Sequence, residues 1–180
     1  MHWLDAVNAR AKRKNKVLFM PDDAIFDALA PLTERAGRLA LVLWALPLAE
    51  EALPRLQALL PGETRPMDAV RLARQWSRGE VKMPAAKAAI LACHAVARED
   101  VSAEAAALCH AVGQACAVVH ARGHAMGFAV YELTAIARRA GTENCAPQIE
   151  ARVCEYMKRL QEAQARAETD PGPWAKFLEA

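Results

Sequence analysis

Apolar residues recur along this chain at intervals of three and four. No segment shows the sustained period-two alternation of a half-buried strand, so the pattern is helical throughout. It is clearest in residues 37–60, where Leu39, Val42, Leu46, Ala49, Leu53, Leu56 and Leu60 fall on one face. Pro47 lies inside that stretch, and its ring would clash with the preceding turn, so a kink or interruption is expected there. On the outer face Glu51 and Arg55 are spaced for an i,i+4 ion pair. A second strong pattern starts near Pro147. It turns Ile149, Val153, Tyr156, Met157 and Leu160 inward and Glu150, Arg152, Glu155, Lys158 and Arg159 outward.

Other helices are marked by their ends. Residues 3–15 form a short one carrying the basic run Arg10, Lys12, Arg13, Lys14 and Lys16. After Pro21, Asp22 and Asp23 supply a cap and first-turn charge for another, ending near Ala30. Pro61-Gly62 closes the amphipathic stretch; Thr64 and Pro66 open a helix through Trp76, ended by Gly79. Pro84 starts the next, to about Arg98, and Ser102 with Glu104 opens the longest run, to about Arg139. Unbroken, that run would measure about 57 Å, whereas a compact domain of this length has a radius of gyration of about 16 Å. A kink or break near Gly123 is therefore expected. The fold expected is all-α: one domain over residues 1–180, a multi-helix bundle around a long Ala-rich central helix. Residues 1–36 would be an N-terminal helical extension, and residues 168–180 a C-terminal tail in which the turn at Asp170-Pro171-Gly172-Pro173-Trp174 leads into a short helix.

Composition narrows the function more than the fold. Only 6 % of residues are aromatic against 54 % hydrophobic, so the core must be Ala, Leu and Val, which suits closely approaching helices. A net charge of +2 gives no reason to expect a nucleic-acid partner, and the basic run is followed by Asp22, Asp23 and Asp27, as on a solvated helix face. Five cysteines without CxxC spacing read as reduced thiols in a cytoplasm. The N-terminus carries charge where a signal peptide needs an apolar core, and residues 105–121 are short for a span, so no membrane role is expected.

Candidate chemistry gathers on the central run. In a continuous helix Cys109, Cys116, His120 and His124 would share a stripe of about 80°. Cys116, His120 and His124 would be successive i,i+4 neighbours, able to offer soft ligands to a metal. The competing reading is a packing seam. Gly113 and Gly127 on the stripe leave room for a neighbour or a bound ion; in the packing reading cysteine acts as a small hydrophobe, and each histidine donates to a backbone carbonyl of an adjacent helix. With no carboxylate on that face and no HExxH, packing is preferred and no cofactor is expected. His94, His110, His120 or His124 could serve as a general base, but neither GxSxG nor a Gly-rich phosphate loop accompanies them, so no enzyme is expected. Trp44 and Trp76 read as core anchors, and Trp174 as a pin for the tail. Cys93-His94-Ala95-Val96 echoes Cys109-His110-Ala111-Val112, too short a match to establish duplication.

Four features between Leu41 and Phe128 carry a resemblance. They are Leu43-Trp44-Ala45 with Leu48-Ala49-Glu50 and Leu53-Pro54; Arg65-Pro66 leading to Ala69, Ala73, Trp76 and Gly79-Glu80; the Ala-rich helix with His94; and His120-Ala121-Arg122-Gly123-His124-Ala125. Together they resemble the all-helical Imm-five-like putative immunity proteins, encoded beside bacterial polymorphic toxins. Pro47 departs from that pattern, and residues 1–36 and 141–180 carry no motif of it. The resemblance implies a stoichiometric inhibitor that binds a cognate toxin domain in the producing cell's cytoplasm, as monomer or homodimer. It marks Arg65, Trp76, His94, His120, Arg122 and His124, of which Trp76 is expected in the core and Arg65 and Arg122 at exposed or capping positions. The alternatives are a metal- or ligand-binding protein using the Cys116/His120/His124 face, with Cys109, and a general helical interaction module.

Overall fold

The computed structural model describes residues 3–178, and these contain eight α-helices, two 3-10 turns and no strand. The helices are α1 (Trp3–Lys12), α2 (Leu29–Arg35), α3 (Arg38–Leu59), α4 (Arg65–Ser77), α5 (Met83–Val96), α6 (Ala103–Ala117), α7 (His124–Ala140) and α8 (Ala146–Ala167). Several ends follow from their residues. Ser102 accepts the Ala105 N–H at 3.1 Å as the cap of α6. Pro66, Pro84 and Pro147 sit in the first turns of α4, α5 and α8. Gly79, at φ 76°, turns the chain after α4 in a conformation that favours glycine.

The expected central helix is two helices. After Ala117 the chain turns over residues 118–123, and α7 returns along α6 as an antiparallel hairpin, shown by the pairing of His110 with Tyr131 and Gln114 with Gly127. Gly123 does not impose the break. It has φ −59°, and a side chain there would meet nothing within 4 Å. The turn is instead held from outside: Arg38 donates to the His120 carbonyl, Arg122 donates to the Glu34 carbonyl, and the His120 ring stacks on Trp76 with centroids 6.2 Å apart. Helix α6 packs against α3, α4, α5 and α7, and α3 against α4, α6, α7 and α8. The Ala, Cys and Gly residues of α6 let its neighbours approach closely.

Other expectations are corrected. Asp23 stands before a 3-10 turn, but its side chain caps nothing: the carboxylate takes the Met20 N–H at 2.7 Å and the Arg10 guanidinium at 2.6 and 2.7 Å. A 3-10 turn, Ala24–Phe26, replaces the helix expected to end near Ala30. The helix there begins at Leu29, because Pro31 in its first turn lacks only an N–H that has no partner in any case. Arg10, bound to Asp23, is thereby withdrawn from the solvated basic face. Helix α3 runs unbroken through both Pro47 and Pro54. Glu51 and Arg55 do not pair: Glu51 takes Arg159 of α8, and Arg55 binds Glu104 of α6 at 2.8 Å through two nitrogens.

The core is aliphatic and alanine-rich apart from a central aromatic trio. Trp44, Phe128 and Tyr156, from α3, α7 and α8, meet edge to face with centroids 5.8 to 5.9 Å apart. Trp44 Nε1 donates to the Tyr156 carbonyl at 3.0 Å. Tyr156, fully enclosed, donates its hydroxyl to Glu132, which also takes Arg152 at 2.9 and 3.0 Å. Arg152 was expected to point outward; it lies over the Tyr156 ring, 5.1 Å from its centroid. Met157, expected inward, is only partly buried. Trp76 is in the core, and Trp174 holds the tail through Asp170 at 3.1 Å. One hydrophobic cluster runs from Trp3 to Leu178.

Candidate functional site

Two glycines of the α6–α7 hairpin open the space in which histidines collect. A Cβ on Gly113 would lie 2.5 Å from Cε1 and Nε2 of His94, so the His94 ring of α5 rests directly on the α6 backbone. A Cβ on Gly127 would lie 2.5 Å from Oε1 of Gln114, so that amide lies against the α7 backbone in the same way. His94 Nδ1 and His110 Nδ1 are 2.9 Å apart, and His124 Nδ1 is 2.7 Å from Gln114 Oε1. The His110 ring lies between those of His94 and Tyr131, at 5.1 and 4.9 Å. The result is a half-buried polar seam across α5, α6 and α7.

The protonation states follow from the geometry. For His94 and His110 to bond through Nδ1, one ring must donate a proton and the other accept it, so both cannot be charged. Burial, with His110, His124 and Arg98 nearby, lowers the His94 pKa to about 4. Burial, then Arg98 and Lys16, lowers that of His110; burial, then His120, lowers that of His124. The three imidazoles are therefore neutral at neutral pH, and every charge acting on them is basic.

Helix formation rearranges the marked residues. Cys116 is enclosed within α6, where burial pushes its thiol well above the ordinary range, while His120 lies in the turn and His124 opens α7. The i,i+4 ladder of Cys116, His120 and His124 does not exist, and no grouping of three or more metal-capable side chains occurs among the described residues. Cys109 meets Cys93 instead, whose thiol donates to the Cys109 carbonyl at 3.3 Å. Nor do these histidines donate to neighbouring backbone carbonyls; they bond to each other and to the Gln114 side chain, and His120 stacks on Trp76. Arg65 bridges Glu63 and Glu99 through bonds of 2.6 to 2.8 Å, lowering the Glu63 pKa to about 2. Of the marked set, His94 and His124 belong to the seam, and His120 and Arg122 to the turn beside it.

A groove of about 430 Å³ lies between α3, α6, α7 and α8. Glu51, Arg55, Glu104, Glu132, Arg152 and Glu155 line it, and each is ion-paired within the groove or to Arg159. It is a stapled helix junction.

The family model for the Imm-5 like putative immunity protein matches residues 31–160. The chain belongs to that family. The match begins ten residues before Leu41 and runs 32 beyond Phe128, so the family pattern takes in most of α2 and of α8, where no motif was evident. No curated protein and no solved structure matches the chain. Among the described residues no helix is long and apolar enough to cross a membrane. Within the family span the motifs missed His110, Gln114 and Tyr131 as seam residues. The echo of Cys93-His94 in Cys109-His110 was the available signal: the two copies meet across α5 and α6.

Proposed function

We propose that this protein is a stoichiometric, non-catalytic inhibitor that binds and neutralises a cognate bacterial toxin in the cytoplasm of the cell that makes both. The family match across residues 31–160 carries this reading. The site is compatible with it. The seam offers donors, acceptors and ring faces at a half-buried surface, suited to contact, and no hydroxyl or thiol nucleophile is bonded to its imidazoles. Neutralisation by binding requires a rigid scaffold and a complementary face, and the hairpin with its clamped turn supplies the first.

The test is co-expression with the toxin domain encoded beside this gene in a sensitive host, together with titration of the two purified proteins. Rescue of growth and a one-to-one complex are expected. Absence of both rescue and binding would remove the proposal.

A further inference from the structure

The seam borders a helix face that is exposed among the described residues. At 100° per residue, Met83, Lys87, Leu91, His94 and Arg98 fall within about 80° of one another along α5 and its end. Met83 is 41 % exposed and Leu91 58 %, the latter one turn before His94. Helix α5 contains no acidic residue. Lys87 and Arg98 are exposed and have no ion-pair partner among the described residues.

A third cation comes from outside the family-matched span. Lys14 adopts the left-handed conformation, φ 59°, and turns the chain after α1. Residues 15–18 are then tied to α7: Arg138 donates to the Asn15 carbonyl, and the Leu18 N–H donates to Thr134 Oγ1 at 3.1 Å. This brings Lys16, exposed and likewise unpaired, near enough to His110 to oppose its charging. Of the acids near the α5–α6 turn, Glu63 and Glu99 are taken by Arg65, which leaves exposed Asp100 as the one carboxylate beside Arg98 without an ion pair among the described residues. A half-buried polar seam thus lies between unpaired cations and beside exposed Leu91 and Met83. That is the arrangement of an apolar anchor with a charged rim.

We infer that the outer face of α5, with the His94/His110/His124 seam and Lys16, is the docking surface for the toxin, and that the toxin presents carboxylates to it around an apolar contact. The inference rests on the immunity reading and names its contact surface and the partner's chemistry. Charge decides against a second copy of this chain as the occupant. A two-fold contact would bring Lys16, Lys87 and Arg98 of one copy near those of the other, and like charges so placed oppose association. Because Lys16 precedes residue 31, the inference also gives the N-terminal segment a role: it adds to the family scaffold a charge suited to a particular toxin.

The experiment uses the full chain and two probes. Affinity for the toxin domain encoded beside the gene is measured by calorimetry for wild type, for Lys16→Glu/Arg98→Glu, for Leu91→Ala, and for Lys158→Glu, a control at a side chain 77 % exposed on α8. The double reversal and Leu91→Ala are each expected to weaken binding about tenfold or more, and added salt to weaken wild-type binding, with the control unchanged. All changed positions are exposed, and circular dichroism confirms folding. Unchanged affinity in the double reversal overturns the inference while leaving the immunity reading intact.

If the toxin domain does not bind the wild-type chain, the immunity reading falls, and the second probe alone decides the face. A deca-glutamate peptide is titrated while the imidazole proton signals of His94, His110 and His124 are followed by NMR. Saturable shifts lost in Lys16→Glu/Arg98→Glu support an acid-binding face; no shift overturns it. A concentration-dependent dimer abolished by Leu91→Ala would also overturn it, by assigning the face to a second copy.

Discussion

Replacing Gly113 with Ala sets two effects of opposite sign against each other. In a helix interior, Gly→Ala ordinarily stabilises by about 1 kcal/mol, because the backbone loses less freedom on folding. At Gly113 the new methyl would lie 2.5 Å from two His94 ring atoms and 2.9 Å from a third. No small rotation of a flexible end relieves three contacts on one planar ring, so the ring must leave its position. That breaks the His94–His110 bond, a loss of about 1 kcal/mol, and adds an overpacking cost of about 1–3 kcal/mol. The sum is a net destabilisation of about 1–3 kcal/mol, despite the gain in helix propensity. The decisive measurement is a double-mutant cycle by urea denaturation. In a His94→Ala background the obstruction is gone, and Gly113→Ala should stabilise by about 0.5–1 kcal/mol, reversing its sign. A stabilising effect in both backgrounds would show that His94 does not rest on Gly113, and the seam as described would be wrong.

Two further outcomes follow from buried charge. Glu132→Leu strands the Arg152 guanidinium and the Tyr156 hydroxyl in the interior and should lower stability by about 3–5 kcal/mol, whereas Glu132→Leu/Arg152→Met should recover most of that; a double variant as unstable as the single would contradict the assignment, and denaturation midpoints decide it. His94 must charge in acid more readily when unfolded than when folded, since burial lowers its folded pKa to about 4 from an ordinary value of 6.5. The unfolded state then binds more protons, so the His94 contribution is fully present above about pH 6.5 and is lost as pH falls toward 4, a change of about 2–3 kcal/mol. His94→Gln should flatten the pH dependence of stability across that window, and an unchanged slope would refute the assignment.

The helices were legible because their ends are written in single residues. Ser102, Pro66, Pro84 and Pro147 act through local backbone chemistry, and Gly79 through its positive φ, so a sequence window suffices to find them. The misreadings share one cause, which is that a tertiary partner claims a group before a local one can. Asp23 binds Arg10 and is unavailable to cap a helix; Arg55 and Glu51 find bidentate partners on other helices in place of each other; Arg152 follows Glu132 inward. The metal-like stripe failed for a related reason. Its angular arithmetic assumed one helix through residues 118–123, although a break near Gly123 was itself expected, and the turn that ends at Gly123 begins directly after Ala117. The seam itself was half legible: Gly113 and Gly127 were correctly read as leaving room, but what fills the room is His94 and Gln114.

That distribution bears on how the family signature is to be understood. The segment from His120 to Ala125 carries residues with two different tasks. The His120 carbonyl, the His120 ring and Arg122 are held by Arg38, Trp76 and Glu34, and these contacts fix where α7 begins. His124, one residue past the turn, is thereby delivered to Gln114 and the seam. A defect at Arg122 should therefore act on the seam through the turn, and a defect at His124 directly. Loss of toxin neutralisation alone would merge the two. Stability separates them, because the clamps join the turn before α7 to α2, α3 and α4, whereas the Gln114–His124 bond lies at a half-buried surface where its loss leaves the bundle's packing in place. Short signatures in helical binding proteins can thus mark the hinge that aims a surface as much as the surface itself, and in this chain the hinge holds the larger share of the motif.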